Sequence, residues 1–261
     1  MNIRIIHWNI SYNGDIDNKI IFLKKHIDSN TIICLQEVQK SIYEKLQTEL
    51  KPDFNTFSLE QRPPGKYEGK NRRLGVCIMT YSYKLLEFKL ANRSIFPERT
   101  NYIYVSNGNS TFGIFSFHSI TGCDYKKAKS SNFASIADFI ESNEIDFFTC
   151  DANEPDYDFL DEKKLIFNNN RDKGKNASLL FGSNRVHKMN DSLRDYYKQN
   201  NFGSNNSPIE VSYKTKTKDK RYDFIYYNSI KWKIQDLKYD YDNAIIAGSD
   251  HAMIIGDYKK I

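Results

Sequence analysis

No run of apolar residues in this chain approaches the ~18 that a helix needs to cross a bilayer. The N-terminus has one basic residue, Arg4, and only a few apolar residues before Asn9, which is too short a segment for a secretory signal peptide. These absences predict a soluble, cytoplasmic protein without a membrane partner. Nothing in the sequence indicates an obligate protein partner.

The four cysteines are scattered, and none of them belongs to a Cys-x-x-Cys pair. Their spacing argues against a structural zinc site and against a thioredoxin-like redox motif. Cys34, Cys77 and Cys150 lie inside apolar runs, where a buried, reduced thiol is the expected state. Cys123 receives no assignment from its surroundings.

The net charge of +5 is modest, so the distribution of the basic residues is more informative than the total. They are concentrated in the segments 61–73, 126–129 and 214–221. These segments contain Arg62, Lys66, Lys70, Arg72, Arg73, Lys126, Lys127, Lys129, Lys214, Lys216, Lys218, Lys220 and Arg221. Such clusters bind phosphate backbones by releasing counterions, whereas the alternative is a charge-rich loop that is only solvated. We predict a nucleic-acid partner. The predicted substrate-binding residues are Arg62, Arg72, Arg73, Lys126 and Lys127.

Short strand patterns alternate with helical patterns along the chain, which indicates an α/β or α+β fold. Helical spacing of apolar residues predicts helices over 15–29, 41–50, 127–141 and 189–200. Short apolar runs predict strands over 74–80, 84–90, 101–106, 111–118, 145–150, 222–228, 231–238 and 252–258. The sequence shows no internal repeat.

Six short apolar runs end on polar groups that can bind a metal ion, an oxyanion or a proton. Apolar runs of this length are typical of buried strands, so these side chains are expected at strand ends. They are Asn9, Glu37, His118, Asp151 with Asn153, Asp223, and Asp250 with His251. Groups that act together must converge, so we predict a single domain over residues 1–261.

In this order and at these spacings the residues resemble the endonuclease/exonuclease/phosphatase superfamily, which includes the deoxyribonuclease I-like enzymes. The resemblance extends from Asn9 to His251. Cys150 and Ala152 depart from the family pattern, which usually has Gly and Phe at these positions. The resemblance implies a four-layer sandwich, in which two mixed β-sheets face each other and helices cover the outside.

The resemblance also implies a divalent metal ion at the strand ends. Carboxylate and amide oxygens suit Mg²⁺, with Mn²⁺ as an alternative. We predict that Glu37, Asn9 and Asp250 are the metal ligands.

Asp223 and His251 are expected to form a hydrogen-bonded pair, in which the carboxylate orients the imidazole and raises its basicity. His251 can then act as a general base toward water or contact the phosphate as a cation. Asp151 is the competing candidate for orienting the water, and Asn153 is expected to donate to a phosphate oxygen.

His118 occupies a position where deoxyribonuclease-like, deadenylase and phosphatase members of the superfamily have His, whereas abasic-site endonucleases typically have Tyr. A carboxylate that orients His118 would make it a better acid, and Glu60 is predicted for this role, with Glu68 as its rival. His7 and His187 are interpreted as structural histidines.

Together these features predict a Mg²⁺-dependent phosphodiesterase, and first among such enzymes a nuclease with a preference for DNA. Arg62, Arg72 and Arg73 flank Tyr67 and are expected to enter a minor groove. The alternative is a phosphatase or phosphodiesterase for a small phosphorylated molecule or a lipid headgroup. A binding module without activity is disfavoured, because binding alone needs neither metal ligands nor a His–Asp pair.

Overall fold

The computed structural model describes residues 1–66, 68–108, 110–121, 126–168 and 172–261. Tyr67, Cys123 and the side chains of Lys70 and Lys126 lie outside the described residues. The helices are α1 (Ile16–Lys24), α2 (Lys40–Leu50), α3 (Ser58–Gln61), α4 (Lys126–Glu141), α5 (Ser192–Gln199) and α6 (Tyr241–Ile246). The strands are β1 (Asn2–Asn9), β2 (Thr31–Val38), β3 (Phe54–Phe57), β4 (Gly75–Thr80), β5 (Lys84–Lys89), β6 (Thr100–Ser106), β7 (Thr111–His118), β8 (Phe147–Asp151), β9 (Asn190–Asp191), β10 (Tyr213–Lys214), β11 (Asp219–Lys220), β12 (Asp223–Tyr227), β13 (Trp232–Asp240) and β14 (Met253–Lys260).

Most of these strands form two mixed sheets of six strands each. The first sheet has the order β13-β14-β1-β2-β4-β3, and the second has the order β5-β6-β7-β8-β12-β9. Each sheet contains one parallel pair, β1 with β2 and β7 with β8, among antiparallel neighbours. β10 and β11 form a separate hairpin.

Alternation along the strands separates the buried apolar residues into three layers. Ile5 and Ile114 belong to a cluster between the two sheets. Ile6 and Leu35 point to the opposite face of the first sheet, where α1 and α2 pack. Phe115 belongs to the third cluster, where α4 covers the second sheet. The predicted four-layer sandwich is therefore confirmed.

The predicted elements agree with the structure except at their ends. The predicted helix 15–29 ends at Lys24, and its N-cap is Asp15, whose side chain accepts from the backbone N–H of Asp17. The short helix α6 was not predicted, because its six residues are too few to show a helical period. None of the helices in the described parts of the chain is long and apolar enough to span a bilayer.

Arg221 was assigned from the sequence to a basic surface loop, and the structure corrects that assignment. Its guanidinium is fully buried and donates to Asp158 at 3.1 Å and to Asp191 at 2.5 Å. Arg194 pairs with the same two carboxylates. Arg221 is therefore part of a buried ion-pair network next to the start of β12, and its charge is not available to a partner.

Candidate active site

The predicted site residues meet at one edge of the sandwich because of strand direction. The parallel strands β1 and β2 of the first sheet, and β7 and β8 of the second, all end at this edge. The antiparallel strand β12 begins here with Asp223, which lies opposite Asp151 in the register, and Asp151 lies opposite His118. Residues far apart in the sequence are thus brought into contact.

Asp223 and His251 form a buried hydrogen-bonded pair. Nδ1 of His251 donates to Oδ2 of Asp223 at 2.8 Å, and Nε2 of His7 donates to Oδ1 at 3.0 Å. Although burial opposes ionisation, the charge of His251 and the hydrogen bonds from both histidines hold the pKa of Asp223 well below its usual value. The carboxylate is therefore an anion between two imidazoles.

His7, which was interpreted from the sequence as a structural histidine, is in direct contact with this pair through Oδ1 of Asp223. A signal was present: His7 lies two residues before Asn9 on the same strand, and alternate residues of a strand share a face. Both side chains therefore point from β1 toward the second sheet.

His251 is also held through its backbone. Its carbonyl accepts from Nε1 of Trp8 at 3.0 Å, and its N–H donates to Oγ of Ser249 at 3.1 Å. The ring of Tyr213 packs on the imidazole with 4.6 Å between centroids. Burial lowers the pKa of His251, but the charges of Asp223 and Asp151 outweigh it and raise the pKa to about 10. The imidazole is thus held as a cation.

Asp151 is the second buried carboxylate of the site. Its Oδ2 accepts from Nδ2 of Asn9 at 2.9 Å and lies 3.4 Å from Nε2 of His118 and 3.8 Å from Nε2 of His251. Burial raises its pKa to about 7, although the positive charge of His251 and the hydrogen bond from Asn9 oppose the shift. This carboxyl group can exchange a proton near neutral pH.

His118 faces an arginine that no sequence motif marks. Nη1 of Arg99 lies 3.2 Å from Nδ1 of His118, and both residues are buried. Burial and the charge of Arg99 hold the pKa of His118 well below its usual value, so the ring is neutral. The same Nη1 also lies 3.4 Å from Nε2, and because an arginine can only donate, the neutral ring accepts this contact.

Glu60 does not orient His118, contrary to the prediction. It is exposed at the end of α3 and lines a groove of about 880 Å³ beside α2. Its rival Glu68 binds Arg62 at 2.9 Å and the backbone N–H of Gly65. The prediction rested on position in the sequence alone, and the turn from β3 into α3 directs Glu60 away from the buried ring.

Of the predicted metal ligands, Asn9 is the last residue of β1, Glu37 is the penultimate residue of β2, and Asp250 precedes β14. Glu37 is partly exposed (21%), with Oε1 3.8 Å from His118, and Asp250 is exposed. Burial lowers the pKa of Lys19, and the charges of Asp250 and Glu37 oppose that shift, so both carboxylates lie near the same ammonium group. The donors on this side are carboxylate and amide oxygens, which fit a hard cation such as Mg²⁺.

A second set could also hold a metal ion. One atom each of Asp151, Asp223 and His251 lie within 4.8 Å of one another. However, both oxygens of Asp223 already accept hydrogen bonds from imidazoles. The carboxylate of Asp223 is therefore already engaged by the two histidines.

Asn153 follows Asp151 in a left-handed backbone conformation, with φ of 50°. Its N–H donates to Oδ1 of Asp151 at 3.0 Å, and its Nδ2 donates to the carbonyl of Ser119 at 3.0 Å. An amide nitrogen carries two hydrogens, so one remains for a phosphate oxygen.

Cys150 and Ala152, the two residues that depart from the family pattern, are both fully buried in the core of the second sheet.

Several members of the first two basic clusters are held within the protein. Arg72 donates to Glu98 and stacks on Phe96 at 4.1 Å. Arg62 pairs with Glu68, and Lys129 is buried against Glu154. The more exposed cations of these two clusters include Arg73 and Lys127.

The third basic cluster forms the β10–β11 hairpin, which begins at the edge of the sandwich where the candidate site lies. Tyr213 forms an isolated β-bridge with His251 at its base. Lys220 is bound by Asp156 and Lys218 by Tyr157, whereas Lys214 and Lys216 are exposed on the hairpin. Positive charge therefore extends outward from His251.

No protein-family model and no curated protein sequence matches the chain. Comparison with solved structures finds similar folds at low sequence identity. D. rerio TDP2 complexed with single strand DNA product matches with a TM-score of 0.66 and 13% identity, over 99% of this chain and 99% of that chain. The human Nocturnin catalytic domain with bound sulfate anion matches with a TM-score of 0.65 and 14% identity, over 100% and 95%. An endonuclease/exonuclease/phosphatase from Bacteroides vulgatus matches with a TM-score of 0.64 and 14% identity, over 100% of both chains. The chain therefore has the fold of the endonuclease/exonuclease/phosphatase superfamily.

Proposed function

We propose that this protein is a divalent-metal-dependent phosphodiesterase, and specifically a nuclease that favours DNA. One observation carries the proposal: a buried chain of His118, Asp151, His251 and Asp223 lies beside partly exposed oxygen donors at one edge of the sandwich. Hydrolysis of a phosphodiester needs charge neutralisation, an oriented water and a proton or a metal ion for the leaving oxygen. The site contains a group for each task.

Glu37, Asn9 and Asp250 would hold the metal ion. Glu37 and Asp250 are accessible carboxylates next to this chain, and the buried Asn9, whose Oδ1 accepts from the N–H of Ser11, would supply an amide oxygen. When bound, such an ion neutralises charge on the phosphate and stabilises the departing oxygen. The loop after β1 is also fixed next to Asn9. Nζ of Lys19 donates to the carbonyl of Ser11 at 2.8 Å, which ties this loop to α1, and the N–H of Ser11 donates to Oδ1 of Asn9.

Asp151 is the group that accepts the proton of the attacking water. Its pKa of about 7, caused by burial, makes it both available and basic at neutral pH. His251 is cationic beside it and donates from Nε2 to a phosphate oxygen, and Arg99 adds a second buried positive charge. A pentavalent transition state with extra negative charge would be stabilised by both groups.

The exposed cations favour a nucleic acid over a small ester. Lys214 and Lys216 are exposed on the hairpin whose first residue, Tyr213, bridges to His251, and Arg73 is exposed next to Arg72, which pairs with Glu98. A substrate with several phosphates can contact cations on both segments, whereas a single phosphate cannot. D. rerio TDP2, which shares the fold, is known as a complex with single strand DNA product, which supports this choice.

The test is an incubation of purified protein with supercoiled plasmid, single-stranded DNA and RNA oligonucleotides, and a panel of small phosphate esters, each with Mg²⁺ or EDTA. We expect Mg²⁺-dependent cleavage of DNA. Hydrolysis of a small ester with DNA left intact would refute the nuclease and support the small-molecule alternative. No hydrolysis of any phosphate ester would refute the phosphodiesterase itself.

Removal of the hairpin charges in the variant Lys214→Ser/Lys216→Ser should raise KM for DNA about tenfold, and should lower the slope of log KM against log salt by about 1 to 2, because each lost phosphate contact releases fewer counterions. Hydrolysis of bis(p-nitrophenyl) phosphate should not change, since this ester has a single phosphate and does not need contacts to the hairpin. Lys233→Ser/Lys259→Ser is the matched control, because these exposed lysines pair across β13 and β14 at the opposite end of the sheet. An equal effect of both double variants would contradict a role for the hairpin.

A further inference from the structure

His7 lies in β1, near the centre of the first sheet, and contacts the Asp223–His251 pair through the carboxylate of Asp223. It is fully buried in β1, and its Nε2 lies 3.0 Å from Oδ1 of Asp223. The other oxygen of Asp223 accepts from Nδ1 of His251 at 2.8 Å. Among the described residues, Nδ1 of His7 has no hydrogen-bond partner, so the bond to Asp223 is the polar contact of this ring.

A second donor changes what the carboxylate can do. A carboxylate that accepts on one oxygen only can rotate about its Cβ–Cγ bond, and its free oxygen can compete for the same imidazole. A donor on each oxygen fixes the plane of the group, so that Oδ2 faces Nδ1 of His251 in one orientation. A histidine kept only for packing would need no polar partner, and an apolar ring would replace it without loss.

We propose that His7 is a positioning residue: its Nε2–H holds the carboxylate of Asp223 in the plane that orients the imidazole of His251. This inference rests on the proposed function, in which Nε2 of His251 donates to the phosphate. His251 is then held at two points by adjacent residues of β1, through Asp223 by His7 and through its carbonyl by Trp8.

The test compares His7→Gln with His7→Asn. The amide nitrogen of glutamine can take the place of Nε2 and donate to Oδ1, whereas asparagine has the same amide but is one methylene shorter and falls short of Asp223. For bis(p-nitrophenyl) phosphate we expect kcat of His7→Asn to fall about tenfold and kcat of His7→Gln to remain within about threefold of the wild type, in the range for residues that orient a catalytic group. KM should change little in either variant, because His7 does not reach the substrate.

Two readouts separate positioning from loss of stability. The first is repetition of both variants in the Asp223→Asn background, where the loss caused by His7→Asn should disappear because groups that act as a unit are non-additive. The second is the proton resonance of the His251 Nδ1–H, which should shift in His7→Asn and be retained in His7→Gln. Wild-type kcat per folded molecule in His7→Asn, or a loss that persists in the Asp223→Asn background, would overturn the inference. If the protein hydrolyses no phosphodiester, the proposed function fails, yet the resonance still decides the position of His251: the same signal in both variants overturns the inference.

Discussion

Replacement of His251 with alanine should lower kcat for phosphodiester hydrolysis by about 10²-fold or more, the usual effect of losing a positioned acid–base group. Asp223→Asn should cost somewhat less, because the imidazole remains but its charge and tautomer are no longer held by an anion at 2.8 Å. The double variant should be little worse than His251→Ala alone, since the two residues act as one unit.

Single-turnover kinetics on a labelled DNA strand would measure this cycle, with circular dichroism to show that each variant is folded. His187→Ala is a suitable control, because His187 is also partly buried but donates to the carbonyl of Leu180, away from the site. Fully multiplicative losses would mean that Asp223 and His251 work independently, which would contradict the proposed mechanism.

Removal of divalent metal should lower activity by about 10³-fold or more, because the charge on the phosphate would then face Asp151, Glu37 and Asp250 without neutralisation. Mg²⁺ or Mn²⁺ should restore it, since the accessible donors are hard oxygens. Glu37→Gln should raise the metal concentration for half-maximal activity by about 10 to 100-fold, in the range for altered metal sites.

Isothermal titration of Mg²⁺ would check metal binding without reference to activity. Glu60→Gln is the matched control, because Glu60 is exposed on the groove beside α2 and should alter neither binding nor turnover. Full activity of metal-stripped protein in chelator would reject the metal-dependent mechanism.

Much of the fold could be predicted because apolar runs that end on polar residues mark both the strands and the edge at which they meet. Glu37, His118 and Asp151 were placed at strand ends in this way. In the structure, carboxylate oxygens of Glu37 and Asp151 both lie within 4 Å of Nε2 of His118. Strand order was not readable from the residues, since it depends on which sheet each strand joins. That step needed the resemblance to a known superfamily.

The parts of the site that were missed share a physical cause. Arg99 precedes β6 without any motif around it, and only the long-range packing of β6 on β7 brings it to His118. Arg221 and Arg72 looked like surface charge because a sequence does not show which cations meet a buried carboxylate. Charge counts therefore overestimated the basic surface that a substrate can meet.

The position of β1 separates two properties that could change independently. His7, Trp8 and Asn9 are adjacent in the most central part of the first sheet, between β14 and β2, and each donates a hydrogen bond that holds a group of the site. The cations proposed to meet the substrate lie instead on the exposed hairpin and at Arg73, the exposed last residue of a short 3-10 helix. If the proposed function holds, exchange or directed evolution of the hairpin turn Thr215–Lys218 should alter substrate choice while the hydrogen bonds from β1 are retained, which makes this turn the natural place to engineer new specificity.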